Sequence, residues 1–118
     1  MAVIESLKEM ALIKQEEVFS TQLTKRNVSV YFSLYYDAIR ELLEAFCLKK
    51  GYKVLNHVCL GEKVKEISQD FDYSTFDRIR YLRNGINYYG NQIAYEPAVL
   101  LLKKIKKLFL WILQELNK

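Results

Sequence analysis

The residues able to do chemistry gather in one stretch, Tyr81–Gly90, which reads Tyr-Leu-Arg-Asn-Gly-Ile-Asn-Tyr-Tyr-Gly. Ile79, Leu82, Ile86 and Tyr89 recur at spacings of three, four and three, which predicts one helical stripe turned to a core. At about 100° per residue, Arg80, Arg83, Asn84, Asn87 and Tyr88 fall together in a neighbouring arc of roughly 140°. Two guanidiniums, two amides and a phenol thus share a helix face, and no other part of the chain concentrates such groups. Two uses of that face are open. It can bind a ligand, or its polar groups can satisfy one another and the next helix. Asp77 can pair with Arg80 or Arg83, or simply favour the first helical turn.

The motif helix starts, on this reading, at Ser74, whose hydroxyl can cap a free amide with Asp77 three residues on. It ends near Gly90. A first helix is predicted over 2–19 from a ragged stripe of Val3, Ile4, Leu7, Met10, Ala11 and Val18. Lys25-Arg26-Asn27 reads as turn and cap. The second helix, 28–49, has an apolar face of roughly 220°, too wide for one neighbouring helix to cover. It therefore belongs at the centre of a bundle or is buried on one side by a second subunit. Lys49-Lys50-Gly51 ends it. After the loop Tyr52–Asn56, Asn56 caps a short third helix over 57–67, with Gly61 as an awkward residue in its middle. Pro97 suits the first turn of the last helix, 96–117, where Leu101, Ile105, Leu108, Phe109, Ile112 and Leu116 face inward and Lys103, Lys104, Lys106 and Lys107 outward, with Trp111 at their edge. No stretch alternates at period two. The expected fold is one domain, 1–118, all-α, an up-and-down bundle of about five helices.

Composition agrees with long helices and short connections: of 118 residues, 51% are hydrophobic, and there are only four Gly and one Pro. A net charge of +4 permits an anionic partner without demanding one. Cys47 and Cys59 lack paired or zinc-ligand spacing and read as reduced core residues of a cytoplasmic protein. Neither a metal nor a cofactor is expected. Glu5, Lys8 and Glu9 near the start do not fit a signal peptide. The longest apolar run, Leu108–Leu113, is six residues, too short for a bilayer span, so no membrane is expected.

Arg83-Asn84, followed by three residues and then Tyr88-Tyr89-Gly90, resembles the signature of the HEPN superfamily, small helical-bundle proteins whose motif runs Arg, four residues, His, usually with a polar residue after the Arg. Tyr31–Lys53, an aromatic helix running into Leu48-Lys49-Lys50-Gly51-Tyr52-Lys53, is similar to the long second helix of compact prokaryotic members. His57-Val58-Cys59-Leu60 resembles the helix start that follows it there. The resemblance spans about residues 28–90. It implies a two-fold homodimer with the motif helices of both subunits lining a cleft, and RNA or a nucleotide phosphate as ligand. In many members it implies a metal-independent ribonuclease, often the toxin paired with a minimal nucleotidyltransferase antitoxin. On it, Arg83 contacts phosphate, Asn84 fixes geometry, Tyr88 stands where the motif has histidine, and Arg80 and Asn87 support them.

That departure bears on mechanism. Metal-free RNA cleavage needs a base for the 2′-hydroxyl proton and cationic donors for the charge building on phosphorus. Arg83 suits the second, its fork matching two phosphate oxygens. A phenol, with an ordinary pKa near ~10, is ionised to only about one part in a thousand at neutral pH, so Tyr88 needs nearby guanidiniums to act as a base. His57, the only histidine, either reaches the cleft as a substitute base or makes a structural hydrogen bond in its loop. The lysines at 103–107 either track a phosphate backbone or form a solvated face. Two other readings stand beside the nuclease: a non-catalytic partner of a nucleotidyltransferase that modifies Tyr88 or Tyr89, and a plain helical dimerisation module.

Overall fold

The structure, a computed structural model, describes residues 2–54 and 56–118. Leu55, inside the predicted loop, lies outside them. The chain forms α1 (Ala2–Ser20), α2 (Val28–Lys49), α3 (His57–Ile67), α4 (Tyr73–Tyr89) and α5 (Tyr95–Leu116). No strand occurs among the described residues.

Helix α2 is the axis of the molecule and packs on each of the other four. Phe32, Tyr35, Tyr36, Ile39, Leu42 and Leu43 are fully buried, so its wide apolar face is covered by helices of the same chain. Side-chain bonds give the directions. Lys14 pairs with Glu41 while Gln15 reaches the Tyr35 hydroxyl at 3.2 Å, so α1 runs antiparallel to α2. Asp37 meets Arg83 and Ser33 meets Asn87, so α4 is antiparallel to α2 as well. At one end of α5, Ile93 N donates to Ser29 Oγ at 2.8 Å; at the other, Lys49 Nζ donates to Leu116 O at 2.7 Å. Helix α5 therefore runs parallel to α2. The result is an up-and-down arrangement around α2.

The local signals explain most helix ends. Gly51 and Gly90 have φ of +92° and +68°, the left-handed conformation that a glycine adopts without strain. Asn56 caps α3, its Oδ1 accepting from Val58 N at 2.8 Å and Cys59 N at 3.4 Å. Two expected caps are corrected. Asn27 does not cap α2 through its side chain; its Oδ1 accepts from Thr24 N, and Thr24 Oγ1 accepts from Asn27 N, closing the turn ahead of the helix. Helix α4 is capped by Asp72, two residues before Ser74: Asp72 Oδ1 accepts from Thr75 N at 3.1 Å and its Oδ2 from Thr75 Oγ1 at 2.7 Å. Phe71 before this cap and Phe76 beyond it pack with ring centroids 6.0 Å apart, a hydrophobic staple that decides between the two candidates.

At Gly61, α3 lies close against α4. A Cβ built there would stand 2.7 Å from the Phe76 ring, a distance real contacts do not reach. The absent side chain lets Phe76 lie flat on Tyr36, centroids 5.8 Å apart and planes at 21°. Cys47 is buried as expected, but Cys59 is exposed. Helix α3 touches only α2 and α4, turns Leu60, Gly61 and Val64 inward, and leaves Cys59 outside.

Candidate functional site

The antiparallel register of α4 on α2 brings the motif arginine into a half-buried network. Arg83 Nη2 donates to Asp37 Oδ1 at 3.0 Å, and its Cζ lies 5.3 Å from the centre of the Tyr36 ring. With its amide oxygen turned to the guanidinium, Asn87 accepts from Arg83 Nε at 3.1 Å and Nη2 at 3.2 Å, while its nitrogen donates to Ser33 Oγ at 3.1 Å. Arg83 is fixed on two sides, and its side chain is only 13% exposed. Arg80, one turn earlier, donates to Asp77 Oδ1 from Nε at 3.2 Å and from Nη2 at 2.9 Å. Arg40, one turn beyond Asp37 on α2, donates to Glu44 Oε1 at 2.7 Å. Each guanidinium is thus aimed by one carboxylate that takes part of its five donors and leaves others for a ligand.

His57, first residue of α3, completes the cluster. Its Nδ1 lies 3.1 Å from the Tyr36 hydroxyl. That oxygen can donate to Nδ1 or accept from Nδ1–H, so one partner serves both tautomers, and Nε2 has no hydrogen-bond partner among the described residues. Burial lowers the His57 pKa below 6.5, and the charges of Arg40, Arg83 and Arg80 lower it further against the opposing pull of Asp37. Burial likewise pushes the Tyr36 phenol up to about 12, against the pull of Arg83, Arg80 and Arg40. At neutral pH the pair is therefore an intact phenol bonded to a neutral imidazole inside a cationic field.

Of the residues expected to form one face, the structure brings together Arg80, Arg83 and Asn87. Asn84 and Tyr88 stand apart from them. Asn84 turns the other way round the helix, into a cleft with Tyr81 and Tyr89. Tyr88 is 71% exposed and makes no hydrogen bond with Asn84 or Arg83 among the described residues. Asp77 pairs with Arg80 rather than Arg83. His57 bonds across to α2 and not within its own loop. Sequence reasoning singled out neither Tyr36 nor Ser33 and Asp37, all three on α2. The usable signal was that a tyrosine buried in a core needs a partner for its hydroxyl, and the sole histidine was at hand.

The lysines at 103, 104, 106 and 107 are exposed as a face of α5. Trp111 is committed elsewhere, packing on Phe46 and Phe71 at 6.2 and 5.8 Å. Among the described residues, no group of three or more His, Cys, Asp or Glu could hold a metal ion, and no helix is long and apolar enough to cross a membrane. Compared with known proteins, the chain shows no significant match to any protein-family model, curated protein or solved structure.

Proposed function

We propose that this chain is a HEPN-type protein that binds the phosphates of RNA or of a nucleotide at the side-chain cluster of Arg80, Arg83, Asn87 and His57, as a homodimer. The observation that carries the reading is the fixation of Arg83: Asp37 and Asn87 hold its guanidinium in place, and Arg80 and Arg40 stand near it. These contacts use Nε and Nη2 and leave the two N–H donors of Nη1, and an oriented guanidinium binds a phosphate oxygen with less ordering cost than a free one. The test is fluorescence anisotropy with a short labelled single-stranded RNA. Arg83→Ala is expected to weaken binding about tenfold or more, the scale of a charge-assisted hydrogen bond. It should also make the salt dependence shallower by about 0.7 in the log–log slope, one phosphate contact on a single strand. Equal affinity and slope in both proteins would overturn the proposal.

A second reading, metal-independent RNA cleavage, is favoured by His57. With Tyr36 accepting from Nδ1–H, the Nε2 lone pair is free to take the proton of a 2′-hydroxyl. The 2′-oxygen–phosphorus bond then forms, the bond to the 5′-oxygen breaks, and that oxygen takes a proton from water. Within one subunit His57 suits this step better than Tyr88, because a neutral imidazole is a base at neutral pH and a phenol is not. Arg83→Ala and His57→Gln should each abolish cleavage, and EDTA should not. Loss of activity in EDTA with recovery on adding Mg²⁺ would count against it.

A further inference from the structure

Beside the arginine cluster, on the other flank of α4, lies an open cleft of about 640 Å³ whose chemistry differs from it. Tyr81, Gly85 and Tyr89 follow one another at intervals of four, one row along the helix. The glycine makes room for the Asn91 side chain between two rings that are 73% and 80% exposed. The left-handed turn at Gly90 then folds the chain back, and Asn91 N donates to Gly85 O at 3.1 Å. Asn91 comes so near that a Cβ on Gly85 would stand 3.0 Å from its amide nitrogen. Asn84, Asn91 and Gln92 are the amide residues lining the cleft, and no charged side chain lines it.

Two aromatic faces, three amides and no charge do not suit an anion or a cation. They suit a flat, neutral, polar ring that stacks on tyrosine and presents donors and acceptors at its edge, as an unpaired nucleobase does. The cleft's position supports that identity. Asn84 follows Arg83 directly and lies four residues after Arg80, so the amides begin where the guanidiniums stop. A helix with its side chains is about 10 Å across, so a single strand crossing the end of α4 can set a phosphate on one flank and a base on the other. We infer that the Tyr81–Gly85–Tyr89 cleft is a base-stacking slot for single-stranded RNA whose backbone is held at Arg80 and Arg83. The inference rests on the phosphate-binding reading and adds the recognition of the base to it.

The experiment compares a short single-stranded RNA with an abasic ribose-phosphate chain of the same length, so that charge is constant and only the bases differ. Wild type is expected to bind the RNA about tenfold tighter than the abasic chain. Tyr89→Ala and Asn84→Ala should each bring RNA down towards the abasic level. Tyr89 is exposed, so loss of the fold is not at issue; matching thermal melts confirm it. Arg83→Ala should weaken both chains together. Equal binding of the two chains by wild type, or a preference that survives both Tyr81→Ala and Tyr89→Ala, overturns the slot while leaving the phosphate reading intact if Arg83→Ala still weakens both. If wild type binds neither chain, the phosphate reading fails and the slot falls with it.

Discussion

His57 carries the most information of any single residue here, because it is the only histidine and its titration can be followed without overlap. Its pKa is lowered first by burial and then by Arg40 and Arg83, while Asp37 pulls the other way. Removing one charge at a time should therefore move the midpoint in opposite directions. Arg83→Ala should raise it towards the ordinary 6.5, and Asp37→Asn should lower it further. Tyr88→Phe should leave it where it is, since that ring points into solvent away from the cluster. The measurement is an NMR titration of the His57 ring protons in the wild type and the three variants. A midpoint unmoved by Arg83→Ala would mean that the guanidinium and the imidazole do not share one electrostatic site.

At the scale of elements, the contact between α3 and α4 sets the geometry that the site depends on. Gly61 admits the Phe76 ring, Phe76 lies on Tyr36, and Tyr36 holds His57. Gly61→Ala would gain helix propensity, yet its methyl group meets a packed aromatic ring that cannot swing away. A net loss of about 1–3 kcal/mol is expected, the cost of overpacking. Gly85→Ala is the control: its methyl group meets the end of the Asn91 side chain, so stability should change by less than about 1 kcal/mol. Urea denaturation distinguishes the two. Similarly, Asp72→Ala should cost about 1 kcal/mol as the loss of an N-cap, and exposed Ser74→Ala close to nothing. These contacts also mark where the sequence stopped being legible. All five helices were readable from apolar spacing and from Gly51, Asn56, Gly90 and Pro97, because those signals act within a few residues. The start of α4 was misplaced because Ser74 and Asp77 imitate a cap, whereas the staple of Phe71 on Phe76 depends on how two rings meet across it. The cluster around His57 was legible only in its α4 half. Which turn of α2 faces Arg83 is fixed by packing over a separation of 46 residues, and no local pattern encodes that register. Gly61, a weakness when read along the helix, gains its meaning from Phe76 in a different one.

For the whole molecule, the same imidazole couples the fold to pH. A histidine whose folded-state pKa lies below its unfolded value binds fewer protons when folded, so stability rises with pH between the two values. The contribution of His57 is fully present above 6.5 and is lost as the pH falls through its lowered folded-state value. The physical causes are, first, that protonation charges a partly buried ring and, second, that it puts a fourth positive charge among Arg40, Arg80 and Arg83, with Asp37 as the opposing charge. No other side chain of this chain is a histidine, and ordinary carboxylates titrate lower, near ~4. Stability measured by urea denaturation should therefore decline from about pH 6.5 downward, ahead of any carboxylate-driven unfolding, and His57→Gln should flatten that part of the curve. On the proposed phosphate site, excess inorganic phosphate at neutral pH should stabilise the wild type by mass action and Arg83→Ala less. A decline that His57→Gln leaves in place would assign the acid sensitivity to other groups and remove the imidazole from the link between site and fold.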